Sequence, residues 1–183
     1  MREISLHILD IAQNSVTANS SLVEITVEEN EKADTLSVII ADNGKGMSEE
    51  MVKNVVDPFT TGRTTRKVGL GIPLIKMAAE NTGGSFKLES KLGVGTTLTA
   101  VFVLSSIDRQ PLGDMAETML GMVTSYENVD FLYVHKVNDK EFTLDTREIK
   151  KILGGVSLSE PDVYMWLSEY LKEGESELTN KEI

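Results

Sequence analysis

The sequence of 183 residues contains no cysteine and few aromatic residues. Without cysteine, the chain forms neither disulfide bonds nor thiolate metal sites, and nothing in its composition indicates secretion. Its only two histidines are His7 and His135, so a metal site built from several histidines is not expected. Aromatic residues make up 5% of the chain, and we therefore expect an aliphatic core.

Long apolar runs are also missing. No stretch approaches the roughly 18 consecutive apolar residues that mark a membrane-spanning helix. The N-terminal sequence MREISLHILDIAQNS places charged and polar side chains where a signal peptide is apolar. The sequence therefore predicts a cytoplasmic protein that does not bind membranes.

The net charge of −11 argues against broad nucleic-acid binding, which needs a basic surface. Residues 105–183 hold most of the excess negative charge, with 16 acidic and 8 basic side chains, whereas residues 1–104 hold 13 acidic and 10 basic side chains. Within the first part, four bases fall within fourteen positions: Arg63, Arg66, Lys67 and Lys76. Such a cluster indicates either an anion site or a solvated loop, and the cluster alone does not decide between them.

Hydrophobic periodicity predicts an α+β chain without internal repeats. Helices are expected at 3–18, just after Ser48, and at 69–81, 113–126, 147–153 and 160–172. Strands are expected at 22–29, 35–42, 84–91, 96–104, 129–137 and 141–145. A mobile loop is expected at 57–68, and a polar, frayed tail from Glu173.

Four large apolar residues share the last of these helices. Tyr164, Trp166, Leu167 and Tyr170 recur at near-helical spacing. This spacing is typical either of a local core or of an exposed partner-binding face. We expect them to form the core of the C-terminal segment.

The stretch ADNGKGM, residues 41–47, follows a buried strand and contains two glycines separated by one residue. A plain turn needs one glycine, so Gly44 and Gly46 indicate that a group packs closely against the backbone. Asp42, at the end of the strand, could accept a hydrogen bond from an exocyclic amine such as that of adenine. An ordinary turn is the alternative interpretation.

Polar residues also recur on one side of the first helix. Asp10 and Asn14 are one turn apart, and His7 and Thr17 extend the stripe. The stripe is either a solvated face or the wall of a polar pocket. In a pocket, the Asn14 carboxamide could ligate Mg²⁺, and Asp10 could orient or deprotonate a hydroxyl group or a water molecule.

Further glycines open the helix at 69–81 and precede the strand at 96–104. Gly69 and Gly71 open the helix, whose first N–H groups favour phosphate, and the basic loop lies just before them. Thr96 and Thr97 begin the strand after Gly93 and Gly95. Each signal is weak alone, but their order and spacing together indicate a nucleotide site.

These motifs resemble the ATP-binding domain of the GHKL superfamily, which includes gyrase-type topoisomerases, Hsp90, histidine kinases and mismatch-repair ATPases. DIAQNS resembles the N box around Asn14, DNGKGM the G1 box around Asp42, DPFTTG the F box around Phe59, and GLGI the G2 box. LGVGTTLTAVFVL is similar to the closing strand pair, with Thr97 in the place that supports adenine binding. The compact lid is most similar to that of histidine kinases and anti-sigma-factor kinases.

The resemblance implies a Bergerat fold, a two-layer α/β sandwich whose mixed, mostly antiparallel sheet carries helices on one face. It assigns this domain to residues 1–104 and leaves 105–183 as a small acidic α+β extension of unknown role. The implied ligands are ATP or ADP with Mg²⁺ held by Asn14, and Asp10 is the implied catalytic base. The implied nucleotide-binding residues are Asn14, Asp42, Gly44, Gly46, Met47, Phe59, Thr60, Thr61, Arg63, Lys67, Gly69, Leu70, Gly71, Ile72 and Thr97.

The chain departs from the family pattern at several positions. Asp10 stands where the N box usually has the longer Glu, and Arg63 is expected to replace a phosphate-binding Lys. A histidine kinase carries its phosphoacceptor histidine upstream of the N box. His7 lies within the N-box helix and does not match that residue, and we expect it to pack or cap.

Three functions remain open at the level of sequence. The chain either transfers the γ-phosphate to a Ser, Thr or His of an unidentified protein partner, hydrolyses ATP slowly to drive assembly, or senses nucleotide without chemistry. The first is slightly favoured, and the resemblance also allows a homodimer.

Overall fold

The computed structural model describes residues 3–57 and 70–179. Within these ranges the chain forms six helices and six strands. The helices are α1 (Ile4–Thr17), α2 (Glu49–Val56), α3 (Gly71–Asn81), α4 (Met115–Ser125), α5 (Thr146–Leu153) and α6 (Pro161–Thr179). The strands are β1 (Leu22–Asn30), β2 (Thr35–Asp42), β3 (Ser85–Lys91), β4 (Gly95–Val103), β5 (Asp130–Val137) and β6 (Lys140–Asp145).

The six strands form one mixed sheet in the order β3-β4-β2-β1-β5-β6. β1 and β5 are parallel neighbours, and every other adjacent pair is antiparallel. β5 and β6 therefore extend the sheet that the first half of the chain begins. The α+β class and the mostly antiparallel sheet agree with the sequence prediction.

One face of the sheet is buried under the helices. In β1 the buried residues Val23, Ile25 and Val27 alternate with the exposed or half-exposed Glu24 and Thr26. β2 and β4 alternate in the same way, and the Asp42 end of β2 lies next to α1, where Ser15 donates a hydrogen bond to it. The core is mainly aliphatic, as predicted, although Phe102, Phe131 and Tyr133 are also fully buried. No described helix combines the length and hydropathy that crossing a membrane requires.

Local sequence signals fix several helix boundaries. α1 ends before Asn19, whose φ of 61° is the left-handed conformation predicted there. The Ser48 side chain accepts a hydrogen bond from the Met51 backbone N–H at 3.2 Å and caps α2. Pro73 lies in the first turn of α3, where it removes no helical hydrogen bond. Apart from Asp57, the predicted loop at 57–68 lies outside the described residues.

The prediction of a frayed tail from Glu173 is wrong. α6 continues to Thr179 because its second half packs on the sheet, with Gly174 and Leu178 buried. Glu175 accepts hydrogen bonds from the Tyr133 hydroxyl at 2.5 Å and from Nδ1 of His135 at 2.7 Å. Polar composition alone concealed these long-range partners.

The prediction that four residues of α6 form a local core holds for one of them. Leu167 is fully buried, whereas Tyr164, Trp166 and Tyr170 are 42%, 51% and 37% exposed. The buried stripe of α6 instead follows Leu167, Leu171, Gly174 and Leu178. The leucines and the glycine of this stripe let the helix lie close to β6, which leaves the larger rings outside.

Candidate functional site

A cavity of about 370 Å³ lies between α1, α2, the start of α3 and the inner face of the sheet. Its volume falls in the range of small-molecule sites. Apolar side chains make up most of its wall, and a few polar groups interrupt them. The lining residues are Ile11, Asn14, Ser15, Thr17, Ala18, Ile40, Asp42, Lys45, Gly46, Met47, Met51, Val55, Ile72, Leu88, Thr96 and Leu98.

Asp42 is the acidic residue of this wall. Its Oδ2 accepts a hydrogen bond from the Ser15 hydroxyl at 2.6 Å, and its Oδ1 accepts one from the Gly44 N–H at 2.9 Å. Each carboxylate oxygen can accept more than one hydrogen bond, so both keep capacity for a ligand. The two contacts therefore orient the carboxylate without exhausting it.

Ser15 is a site residue that the sequence analysis missed. It is buried on α1, where it follows Ile8 and Ile11 along the inward side of the helix. A hydroxyl at an inward position of an otherwise apolar stripe was the available signal. Because α1 packs on β2, this position brings Ser15 to the end of the strand where Asp42 lies.

The predicted polar stripe of α1 is divided by the fold. Asn14 and Thr17 line the cavity, whereas Asp10 is outside its lining. The Asp10 carboxylate lies instead against the first residue of α3, since a Cβ added to Gly71 would be 2.8 Å from Asp10 Oδ2. Asp10 therefore lies beside the N-terminus of α3, whose second residue, Ile72, lines the cavity.

His7 belongs to the packing of the fold rather than to the cavity. It is 2% exposed, and its Nε2 is 2.9 Å from Oε1 of Gln110, a residue of the segment after β4. Burial lowers the pKa of His7, because the charged ring would lose its hydration. The prediction that His7 packs or caps is confirmed.

The structure gives a different reason for the two glycines of ADNGKGM. A Cβ at Gly44 would lie 2.7 Å from the Ala18 carbonyl oxygen, and one at Gly46 would overlap that of Lys91. Gly46 also has a φ of 68°. Protein backbone, rather than a flat base, fills the space of both missing side chains. Gly46 nevertheless lines the cavity, and Gly44 acts through its hydrogen bond to Asp42.

The cavity is lined by Thr96, whereas Thr97, the threonine that the resemblance implied, is outside its lining. Side chains alternate along β4, so Thr96 shares the inward face with Leu98 and pairs in register with Asp42. Thr96 lines the cavity, and its hydroxyl is 2.7 Å from that of Ser90. Thr97 points to the other face of the strand and, together with Asp42 and Thr96, borders a smaller depression of about 270 Å³. The sequence identified the threonine pair, but the cavity is lined by its other member.

The remaining predicted residues divide into three groups. Met47 and Ile72 line the cavity, whereas Leu70 and Gly71 stand at the start of α3 outside it. Six lie outside the described residues, and their roles stay predictions: Phe59, Thr60, Thr61, Arg63, Lys67 and Gly69. Of the basic cluster, Lys76 lies on α3 and pairs with Glu80 at 3.1 Å.

From the sequence, the apolar residues of the cavity wall could be predicted only to lie on the inward face of their strands. Ile40, Leu88 and Leu98 occupy inward positions of their strands, and the sequence alone could not distinguish a cavity from a filled core there. Lys45, between the two glycines, is a lining residue with no earlier signal. Within the described ranges, no group of three or more His, Cys, Asp or Glu side chains could hold a metal ion.

Residues 2–106 match the family described as histidine kinase-, DNA gyrase B- and HSP90-like ATPases. The chain belongs to this family. The matched segment includes α1, β1 to β4, α2 and α3, and with them every residue that lines the cavity.

Curated relatives match the same part of the chain. The sensor protein SrrB of Staphylococcus aureus is 36% identical over 102 residues, and the histidine protein kinase DivJ of Caulobacter vibrioides is 28% identical over 102 residues. These matches cover 53% and 54% of this chain and 17% of each relative. The chain therefore spans less than a fifth of the length of these relatives.

Solved structures show the same fold at low identity. The MutL ATPase domain of Aquifex aeolicus, in complex with ADP, aligns with a TM-score of 0.54 and 14% identity. The alignment covers 84% of this chain and 70% of that domain. The family and the fold are thus those that the sequence motifs indicated, a histidine-kinase-like GHKL ATPase domain.

Proposed function

We propose that the chain binds ATP with Mg²⁺ in this cavity and transfers the γ-phosphate to a partner protein. The observation that carries the proposal is the Asp42 carboxylate, which Ser15 and Gly44 hold in an otherwise apolar wall. An apolar slot with one oriented acceptor suits a flat heteroaromatic ring that bears an amino group. Adenine has this chemistry, and MutL, a structural neighbour, is described in complex with ADP.

The polar residues of α1 suggest the direction of the phosphates. From Asp42, the wall continues through Ser15 to Asn14, and Asp10 follows at the start of α3. The first N–H groups of a helix favour anions, so the N-terminus of α3 suits a phosphate group. We propose that the nucleotide extends along α1 from Asp42 toward Gly71.

Asn14 fits the role of a magnesium ligand. It is exposed, lines the cavity, and can offer an amide oxygen, which suits a hard cation. Because the described residues hold no carboxylate cluster for a metal, Mg²⁺ would enter with the nucleotide and take most of its ligands from phosphate and water. The ion would supply charge neutralisation to the phosphates.

Asp10 is the proposed base for phosphate transfer. A hydroxyl group of the partner would attack the γ-phosphorus, the bond to the bridging oxygen would break, and ADP would leave. Asp10 would accept the hydroxyl proton, which its place beside the start of α3 supports. Relatives described as a histidine protein kinase and a sensor protein support transfer to protein.

The test follows the γ-phosphate. Purified protein would be incubated with γ-labelled Mg-ATP, with and without a desalted extract of the cell that produces it. Label in a partner band and label in free phosphate would be counted together. The variants would be Asp10→Asn and Asp42→Asn, with Asp108→Asn as an exposed, distant control. We expect a labelled partner band that needs Asp10 and Asp42 but tolerates the control.

Other outcomes separate the proposal from its alternatives. Free phosphate that needs Asp10, with no labelled protein, would contradict the kinase and establish an ATPase. ADP binding without either product would establish a nucleotide sensor.

A further inference from the structure

A stacked pair of aromatic rings lies on the surface of α6. The ring centroids of Trp166 and Tyr170 are 5.2 Å apart, and the planes are inclined by 13°. The Tyr170 hydroxyl donates to the Thr143 carbonyl oxygen at 3.0 Å, and its ring centroid is 5.2 Å from that of Phe142. β6 therefore holds the pair in place although half of the Trp166 surface is exposed.

Carboxylates border this pair along the helix. Asp162 precedes Trp166 by one turn, and Tyr170 follows it by one turn, so the three form a row. Glu169 and Glu173 form a second row beside it. The ion pairs of the described residues include none of these three acids. The five residues form a surface that we call the α6 acidic–aromatic surface.

The only base of α6, Lys172, lies at the edge of this surface. It is three residues beyond Glu169, so helical spacing makes these two side chains neighbours, but it belongs to neither row. Three carboxylates beside one ammonium group leave the α6 acidic–aromatic surface anionic as well as aromatic. The buried stripe of α6 does not include Trp166, and about half of the Trp166 surface is open to a partner.

We propose that the α6 acidic–aromatic surface binds a basic, arginine-bearing segment of a partner protein. A guanidinium group is planar and weakly hydrated, so it stacks on an aromatic face and donates paired hydrogen bonds to carboxylates. Trp166 and Tyr170 supply the face, and Glu169 and Glu173 lie one helical row away. Since Tyr170 is already held by Thr143 and Phe142, binding would cost little side-chain entropy.

Charge distinguishes this occupant from others. A second copy docked through the same surface would bring like-charged carboxylates together. A nucleic acid or an anionic membrane would be repelled by these acids and by the 16 acidic residues of positions 105–183. A cationic protein segment alone is attracted by the charge and suited to the rings.

The chain offers a direct reporter, because Trp166 is its only tryptophan. The full chain, without nucleotide, would be titrated with capped hexaarginine and capped hexalysine while its fluorescence is recorded. We expect a saturable change with both, and binding of hexaarginine about threefold to tenfold tighter because a guanidinium stacks better than an ammonium. Equal affinities would contradict a role for stacking.

Matched variants separate local binding from the attraction of the whole acidic chain. Glu169→Gln with Glu173→Gln removes two charges from the surface, and Glu31→Gln with Glu148→Gln removes two exposed charges elsewhere. We expect the first pair of substitutions to weaken the affinity for hexaarginine about threefold to tenfold, and the second pair to change this affinity less than about twofold. Equal weakening by both pairs would show bulk attraction and overturn the proposal.

A second measurement tests the competing occupant. Sedimentation velocity of the full chain and of Trp166→Ala would report self-association, and calorimetry would report hexaarginine binding to both. We expect a concentration-independent mass in both proteins and weaker peptide binding in the variant. A dimer that Trp166→Ala abolishes would assign the surface to a second copy and contradict the proposal.

Discussion

At the scale of single residues, Gly46 shows how the site depends on close backbone packing. An added Cβ would meet the Lys91 carbonyl, and the positive φ disfavours any other residue. We expect Gly46→Ala to lower the free energy of unfolding by about 3 kcal/mol, through both effects. Chemical denaturation of the purified variant would measure this loss.

Gly93 provides the matched control for that substitution. Its φ of 77° is similar, but nothing lies within 4 Å of a Cβ built there. Gly93→Ala should therefore cost only the conformational part, about 1 kcal/mol. Equal losses for the two variants would show that the Lys91 contact does not restrict Gly46.

His7 predicts a pH dependence of stability. Its burial lowers its pKa in the folded state, whereas in the unfolded chain the pKa returns to about 6.5. Below that pH the unfolded state binds a proton that the folded state does not, so the free energy of unfolding falls as the pH falls. We expect the melting temperature to drop from about pH 7 to pH 5.5, and to drop less steeply in His7→Gln. Parallel pH profiles would contradict this role of His7.

The sequence predicted which residues belong to the site more reliably than it predicted their surroundings. Asp42, Asn14 and the paired glycines were located by their spacing, and the structure brings Asp42, Asn14 and Gly46 to one cavity. The choice between Thr96 and Thr97 depended on the register of β4, which one residue of slippage reverses. Ser15 was hidden because a serine within a helix can also donate its hydroxyl to the backbone carbonyl one turn earlier.

At the scale of secondary structure, α6 shows where local pattern fails. Its second half carries acidic residues and a glycine, which indicate a frayed end, but the helix is retained by contacts with β5 and β6. Such contacts join positions about 40 residues apart, which composition cannot reveal. By contrast, β1, β2 and α1 were predictable because their periodicity is strong.

Gly174 gives a prediction for this helix. Alanine usually stabilises a helix interior by about 1 kcal/mol relative to glycine. At Gly174, however, a Cβ would overlap the Phe142 ring, so we expect Gly174→Ala to destabilise the protein. In Gly121→Ala on α4, where nothing lies within 4 Å, we expect stabilisation of about 0.5–1 kcal/mol. Thermal melts of both should shift in opposite directions, and shifts of the same sign would contradict the packing of α6 on β6.

At the scale of the whole molecule, the sheet joins the two halves of the chain. β5 pairs with β1 along eight positions, and Phe131 and Tyr133 of β5 enter the same core as Val23 and Ile25. We propose that residues 105–179 fold as one unit with the ATPase-type segment. The sequence predicted a separate extension because parallel pairing between distant strands leaves no local signal.

Comparing the melting temperatures given by two probes would test whether the two halves of the chain unfold together. Trp166 fluorescence reports on α6, and far-ultraviolet circular dichroism reports on all helices and strands. If the halves form one cooperative unit, both probes should give the same melting temperature. A separate, earlier fluorescence transition would show that α6 and its neighbours unfold independently.

Calorimetric titration with ADP would show whether Asp42 anchors an adenine nucleotide in the cavity between α1 and the sheet. We expect saturable binding to the natural chain and to Asp108→Asn, and binding about tenfold to a hundredfold weaker to Asp42→Asn, because a hydrogen bond to a charged group is lost. Absence of binding to the natural chain at millimolar ADP, or equal affinities in all three proteins, would contradict this role of Asp42.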